Sequence, residues 1–193
     1  GVSPAKIVIL GGGVVGRNAL QMAVGMGAEV CIFDRDIDRL RQIDTLYGNR
    51  VRTFYSDSLL IEQEVCEADV VIGAVLLPGA AAPKLVTHEM VKKMKPGSVV
   101  VDVAIDQGGC FETSRPTTHA DPTYLVDGVL HYCVANMPGA VARTSTFALT
   151  NATYPFVEAL ANCGVIKALS IDHHLRNGLS VHKGVLTSKP VAL

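Results

Sequence analysis

The tightest constraint in this chain is a short apolar run that ends in a glycine cluster. Residues Lys6-Ile-Val-Ile-Leu10 lead straight into Gly11-Gly12-Gly13-Val14-Val15-Gly16. The run is unbroken and rich in β-branched residues, as a strand buried on both faces of a parallel sheet should be. Residues 14–26 then carry a helical period. The glycines therefore fall at a strand-to-helix turn with the spacing G-x-G-x-x-G. Gly11 permits the tight turn, Gly13 lets phosphates approach the backbone, and Gly16 lets the helix pack down on the strand. Val14 and Val15 begin the helix, whose unpaired N–H groups and partial positive charge suit a pyrophosphate.

That spacing alone is weak evidence, but here its context is complete. A second strand pattern, 29–33, ends in Asp34, eighteen residues after Gly16. The adenine ribose of a bound dinucleotide lies at that strand end. A carboxylate there accepts hydrogen bonds from both ribose hydroxyls and repels a 2′-phosphate, which selects NAD over NADP. Arg35 and Arg39 are close in sequence, and an Arg at this place can instead receive a phosphate. The plainer alternative is that Asp34 caps the next helix. Asp36 is also placed to do so.

Strand and helix patterns continue to alternate. Strands are expected at 6–10, 29–33, 50–53, 70–74, 98–103 and 130–134, with helices at 14–26, 37–47, 58–66 and 87–94. This alternation predicts an α/β fold: a Rossmann-type doubly wound parallel sheet in the order 3-2-1-4-5-6. Residues 105–129 lack a helical period and read as a long functional loop. The pattern then changes to a long helix over 146–162 with Pro155 inside it, a short helix near 171–176, and an extended tail over 184–193 containing Pro190. We expect a dinucleotide-binding domain over 1–140 and a helical carboxyl-terminal extension over 141–193. The chain opens on Gly1 with a strand almost at once, which marks a domain boundary and points to a processed chain or a piece of a longer one.

Composition narrows the partners. The 193 residues are 49% hydrophobic, enough for one well-buried core. Net charge is -1 and only 5% of residues are aromatic, with no Trp. Bulk attraction to nucleic acid or an anionic membrane is not expected. No apolar run approaches the ~20 residues of a bilayer span. The five cysteines are scattered and never spaced C-x-x-C, which fits reduced thiols in the cytoplasm.

Further candidates fall at expected strand ends, where a doubly wound sheet binds its ligand. Strand four runs into Gly73-Ala74-Val75-Leu76-Leu77-Pro78-Gly79. Small and apolar residues there suit a flat ring lying over the backbone, or form an ordinary exit loop. Strand five runs into Asp102-Val103-Ala104-Ile105-Asp106-Gln107-Gly108-Gly109-Cys110. Asp106 leaves the sheet edge into a glycine-rich loop and can position a proton donor or a cationic amine, whereas Asp102 reads as a structural hydrogen-bonder. Strand six ends in Val134-Ala135-Asn136-Met137, offering an amide and a soft apolar contact. The histidines, His173-His174 included, lack the spacing of a metal site. There is no G-x-S-x-G elbow.

Several of these runs resemble a known family. Val103 through Thr118, the stretch Ala135-Asn136-Met137-Pro138, residues 144–153 and the segment from Gly73 to Leu85 are similar to bacterial alanine dehydrogenases over essentially the whole chain. The related proton-translocating transhydrogenases have a loop resembling Ala-Glu-Gln-Gly-Gly-Asn where this chain reads Ile105-Asp106-Gln107-Gly108-Gly109-Cys110, so it sides with the dehydrogenases. The resemblance implies NAD-dependent, reversible oxidation of L-alanine to pyruvate and ammonia. It implies that Asp106 is the catalytic Asp and that Asp34 binds the adenosine ribose. It also implies that Arg39, Ser56, Val75, Leu76, Val103, Asn136 and Met137 line the cofactor. It further implies an amino-terminal domain carrying the substrate-binding Arg and Lys and a catalytic His, and assembly into a homo-hexamer. Two other expectations stand beside this one: a stand-alone NAD-binding or regulatory module, and a protein like the first domain of transhydrogenase.

Overall fold

The computed structural model describes residues 1–77 and 81–188. The expectations placed on Pro78, Gly79 and Pro190 therefore lie outside the described residues. Two compact units are present, one formed by Gly1–Leu77 with Ala81–Met137 and the other by residues 138–188.

The first unit is a seven-stranded sheet with helical crossovers. Its elements run β1 (Lys6–Leu10), α1 (Val14–Gly25), β2 (Glu29–Asp34), α2 (Ile37–Tyr47), β3 (Val51–Tyr55), α3 (Ser58–Cys66), β4 (Val70–Gly73), α4 (His88–Lys93), β5 (Val99–Asp102), β6 (Thr123–Val126) and β7 (Val129–Tyr132). The order across the sheet is β3-β2-β1-β4-β5-β7-β6. All neighbours are parallel except β6 and β7. The expected doubly wound order is present, with β7 in the place of the sixth parallel strand.

One strand was not expected. β6 lies within the stretch read as loop and closes the sheet edge as an antiparallel hairpin with β7. The turn is Asp127-Gly128, both with positive φ (49° and 81°). That is the Asp-Gly pairing a two-residue hairpin requires.

β1 lies at the centre, paired to β2 and β4, and Val8, Ile9 and Leu10 are fully buried. Alternate side chains enter two apolar clusters. Val8 and Leu10 join Phe33, Val71, Val100 and Phe111, while Ile9 joins Leu20, Ile32 and Ile43. Each fully buried Leu, Ile or Phe contributes roughly 1.5–3 kcal/mol. The strand ends are thereby held on a stiff platform.

The second unit holds α5 (Ala142–Cys163), α6 (Val165–Ile171), α7 (His173–Asn177) and a short hairpin of β8 (Val181–His182) with β9 (Val185–Leu186). The long helix is as expected, with Pro155 inside it, where the ring removes one backbone donor. The short helix expected near 171–176 is α7, N-capped by Asp172, and α6, which follows Gly164 at φ 74°, is an additional helix. No side chain of α5 is buried, and Phe147, Leu149, Tyr154 and Val157 are exposed. Among the described residues no helix is long and apolar enough to cross a membrane.

Candidate functional site

The glycine turn follows β1 directly. Gly11 adopts φ +102°, and its N–H donates to the Phe33 carbonyl at 2.8 Å. A Cβ on Gly16 would come within 1.7 Å of the Gly11 carbonyl oxygen, so α1 meets the turn backbone directly there. A Cβ on Gly13 would meet nothing within 4 Å. The Gly13 face is thus open, as a site for an approaching phosphate must be. Helices α2, α3 and α4 are capped by Asp36, Asp57 and Thr87, but α1 has no side-chain cap and no acidic residue in its first turn. Its first N–H groups remain available beside Val14, which is exposed, and Val15. An uncapped helix start next to an open glycine fits a pyrophosphate.

Asp34 ends β2 and turns its carboxylate back toward this turn. It accepts from the Gly12 N–H at 2.7 Å, the Asp36 N–H at 2.8 Å and the Arg39 guanidinium at 3.0 Å. Asp36, not Asp34, caps α2 by accepting from Asp38 and Arg39 N–H groups. Partial burial pushes the Asp34 carboxyl upward, but the Asp36 and Gly12 amides and Arg39 outweigh it and hold the group below its usual range. Arg39 also pairs with Asp36 at 3.5 Å. Ser56 follows β3 and donates its N–H to the Asp34 carbonyl at 2.9 Å. Gly11, Gly13, Gly16, Asp34, Arg39 and Ser56 are therefore gathered around the carboxyl ends of β1, β2 and β3.

The other group of expected residues lines a cleft of about 190 Å³. Ala74, Val75 and Leu76 form one wall beyond β4, and Val103, Ala104, Asp106 and Gln107 form the facing wall beyond β5. Val15 of α1 completes the lining. The volume suits one ring-sized group, and the lining is apolar apart from Asp106 and Gln107. Asp106 lies exposed in a 3-10 turn, Val103–Gln107, and accepts no hydrogen bond among the described residues. Among the described residues its carboxylate is therefore left open to a ligand.

The loop that carries Asp106 is firmly anchored. Asp102 is fully buried and accepts from the N–H groups of Ala104 (3.2 Å) and Cys110 (2.9 Å) and from the Ser114 hydroxyl (2.5 Å). Burial raises its pKa, against the pull of those donors. Lys84 donates to the carbonyls of Gly108 (2.5 Å) and Phe111 (3.0 Å). Burial, reinforced by Asp102, pushes the Cys110 thiol up to about 11, which favours the protonated thiol over the nucleophilic thiolate at neutral pH.

Asn136 and Met137 follow β7 and do not line this cleft. Asn136 adopts φ 57°, a left-handed conformation that Asn tolerates, and its carbonyl faces His119 Nε2 at 3.0 Å. His131 is buried, bonded to the Val129 carbonyl and to the Thr113 hydroxyl, and stacked on Tyr124. Among the described residues no cluster of three or more His, Cys, Asp or Glu could hold a metal ion. Lys84 and Gln107 escaped the sequence reading, because their bonds reach 24–30 residues along the chain without any periodic signal.

The strand order, the open glycine turn and the acid closing β2 define an α/β domain of the Rossmann dinucleotide-binding class. Residues 1–189 match the family described as alanine dehydrogenase/PNT, C-terminal domain, and the chain belongs to that family. It is 64% identical over 192 residues to the alanine dehydrogenase of Halomonas elongata, covering all of this chain and 52% of that protein. Among solved structures it is similar to an L-alanine dehydrogenase (TM-score 0.89, 56% identity, 98% of this chain and 52% of that one). It is also similar to a transhydrogenase from Sinorhizobium meliloti (TM-score 0.77, 28% identity, 98% of this chain and 51% of that one). The chain thus spans about half the length of the curated relatives it matches.

Proposed function

We propose that this chain is the cofactor-binding half of an NAD-dependent L-alanine dehydrogenase. The reaction is L-alanine, NAD⁺ and water to pyruvate, ammonium, NADH and a proton, and it runs in both directions. The observation that carries the reading is the exposed Asp106 carboxylate, without a hydrogen-bond partner among the described residues, in an apolar cleft next to the open glycine turn. The identity to alanine dehydrogenases, far above that to the transhydrogenase, supports it.

The residues divide the work. Gly11, Gly13 and Gly16, with the first turn of α1 from Val14 and Val15, hold the pyrophosphate. Asp34 holds the adenine ribose, and Arg39, tied to Asp34 and Asp36, is not free for a 2′-phosphate. Ser56 borders the same end. Val75, Leu76 and Val103 exclude water around the nicotinamide; Asn136 and Met137, which lie outside this cleft, are assigned to the cofactor by the resemblance alone. NAD, when bound, supplies the hydride acceptor. Asp106 holds the alanine ammonium close by, accepts a proton from it, and orients the water that later attacks at Cα. The cations that bind the alanine carboxylate belong to an amino-terminal domain, corresponding to the half of the relatives that this chain does not span. Residues 141–193, whose α5 exposes an apolar side, pack on that domain, and residues 1–140 form the cofactor domain. Assembly as a homo-oligomer follows the resemblance, and free cysteines support a cytoplasmic protein.

Calorimetric titration tests the reading. NAD should bind, NADP should bind at least about tenfold more weakly, and the 193-residue chain by itself should form no NADH from alanine. Failure to bind NAD at millimolar concentration would overturn the assignment.

A further inference from the structure

We infer that Gln107 is a positioning residue: its side-chain amide clasps the Leu77 backbone and thereby sets the width of the cleft. The inference rests on the nicotinamide assignment made above. The geometry is complementary in both directions. The Leu77 N–H donates to Gln107 Oε1 at 3.3 Å, and Gln107 Nε2 donates to the Leu77 carbonyl at 3.2 Å. One planar amide thus pairs with both polar groups of one peptide residue, as a neighbouring strand would.

The two partners stand on opposite walls. Leu77 follows the apolar wall of Val75 and Leu76, and Gln107 ends the 3-10 turn that bears Asp106. The other anchors of this loop do not reach Leu76 or Leu77, although the Cys110 thiol meets the Val75 backbone N–H at the start of the same wall. Asp102 bonds to Ala104, Cys110 and Ser114, and Lys84 bonds to Gly108 and Phe111. Neither joins the Leu76–Leu77 wall. The Gln107 main chain is itself fixed, since its carbonyl accepts from the Ala82 N–H at 2.8 Å. Rotation of the Gln107 side chain is therefore free to release the wall without moving its own backbone.

The test uses Gln107→Ala and Gln107→Met in the complete protein, with NADH and ADP-ribose as probes. ADP-ribose fills the adenosine and pyrophosphate sites but lacks the nicotinamide ring. Both variants should weaken NADH binding about tenfold, the effect of losing one or two modest hydrogen bonds that fix the wall, and leave ADP-ribose within about twofold of the parent. Alanine oxidation at saturating NAD should slow by a comparable factor, while alanine KM stays within about twofold. The Leu77 amide should be protected from hydrogen exchange in the parent and lose that protection in both variants. Met fills the space of Gln without its polar atoms, so parent-like NADH binding by Gln107→Met would overturn the inference in favour of simple bulk. Equal weakening of NADH and ADP-ribose would overturn it as well. If the parent itself binds neither probe, the proposed function fails, and Leu77 exchange then decides the clasp independently.

Discussion

One methyl group, added separately at Gly13 and at Gly16, should separate ligand approach from folding within a single turn. A Cβ at Gly16 would lie 1.7 Å from the Gly11 carbonyl oxygen, whereas real contacts of this kind stay beyond 3.0 Å. The helix or the turn must then shift by roughly 1.3 Å, and the obstructing atom is backbone, which has no rotamer to adopt. Overpacking of that severity lies at the top of its usual range, about 3 kcal/mol. In a unit of this size that lowers the melting temperature by roughly 10 °C. Gly13→Ala meets nothing within 4 Å, and as the N-cap of α1 it costs only about 0.5–1 kcal/mol. Its Cβ, however, occupies the space a pyrophosphate needs, so NADH affinity should fall by at least about tenfold. Thermal melting and NADH titration of both variants make the comparison. The reasoning is refuted if Gly16→Ala melts within about 2 °C of the parent. It is equally refuted if Gly13→Ala binds NADH as the parent does.

Asp102→Asn should cost about 2 kcal/mol, because one carboxylate oxygen that accepts from Cys110 and Ser114 becomes either a donor facing donors or a strained flip. Chemical denaturation would read this as a lower midpoint, and an unchanged midpoint would contradict it. His131 carries a pH signature. Burial lowers its pKa below 6.5, so the folded protein prefers the neutral ring and the unfolded chain binds the extra proton. Stability should therefore fall as pH drops below 6.5 toward the lowered folded value, and level off beneath it. Denaturation midpoints of the parent and of His131→Gln, compared from about pH 7.5 down to about pH 5, should show that slope in the parent only.

Much of the fold could be read from the sequence because local periodicity matched the tertiary result. The Val and Ile runs of β1, β4 and β5 are continuous because both faces are covered, and that is legible without coordinates. Asp34 was legible through its spacing from Gly16, although the sequence could not separate it from a helix cap; Asp36 fills that role. β6 was missed although Thr-Tyr-Leu-Val-Asp-Gly-Val-Leu-His-Tyr carries the Asp-Gly hairpin signal. The length of the surrounding loop masked it. The anchoring of Asp106 had no local signature, since Lys84, Leu77 and Ser114 reach it from distant parts of the chain. Strand ends can be placed by pattern, but the bonds that brace the loops between them arise only when the chain is folded.

The state of Asp34 has a consequence for binding. Without any dinucleotide, its carboxylate already has three donors: Gly12, Asp36 and Arg39. A carboxylate offers about four lone-pair sites, so two ribose hydroxyls can be seated only if one of these three donors gives up its place. The arriving ribose therefore exchanges one set of hydrogen bonds for another, and such swaps are nearly neutral in free energy. In the proposed NAD complex the adenosine end would then discriminate between ligands while adding little affinity of its own.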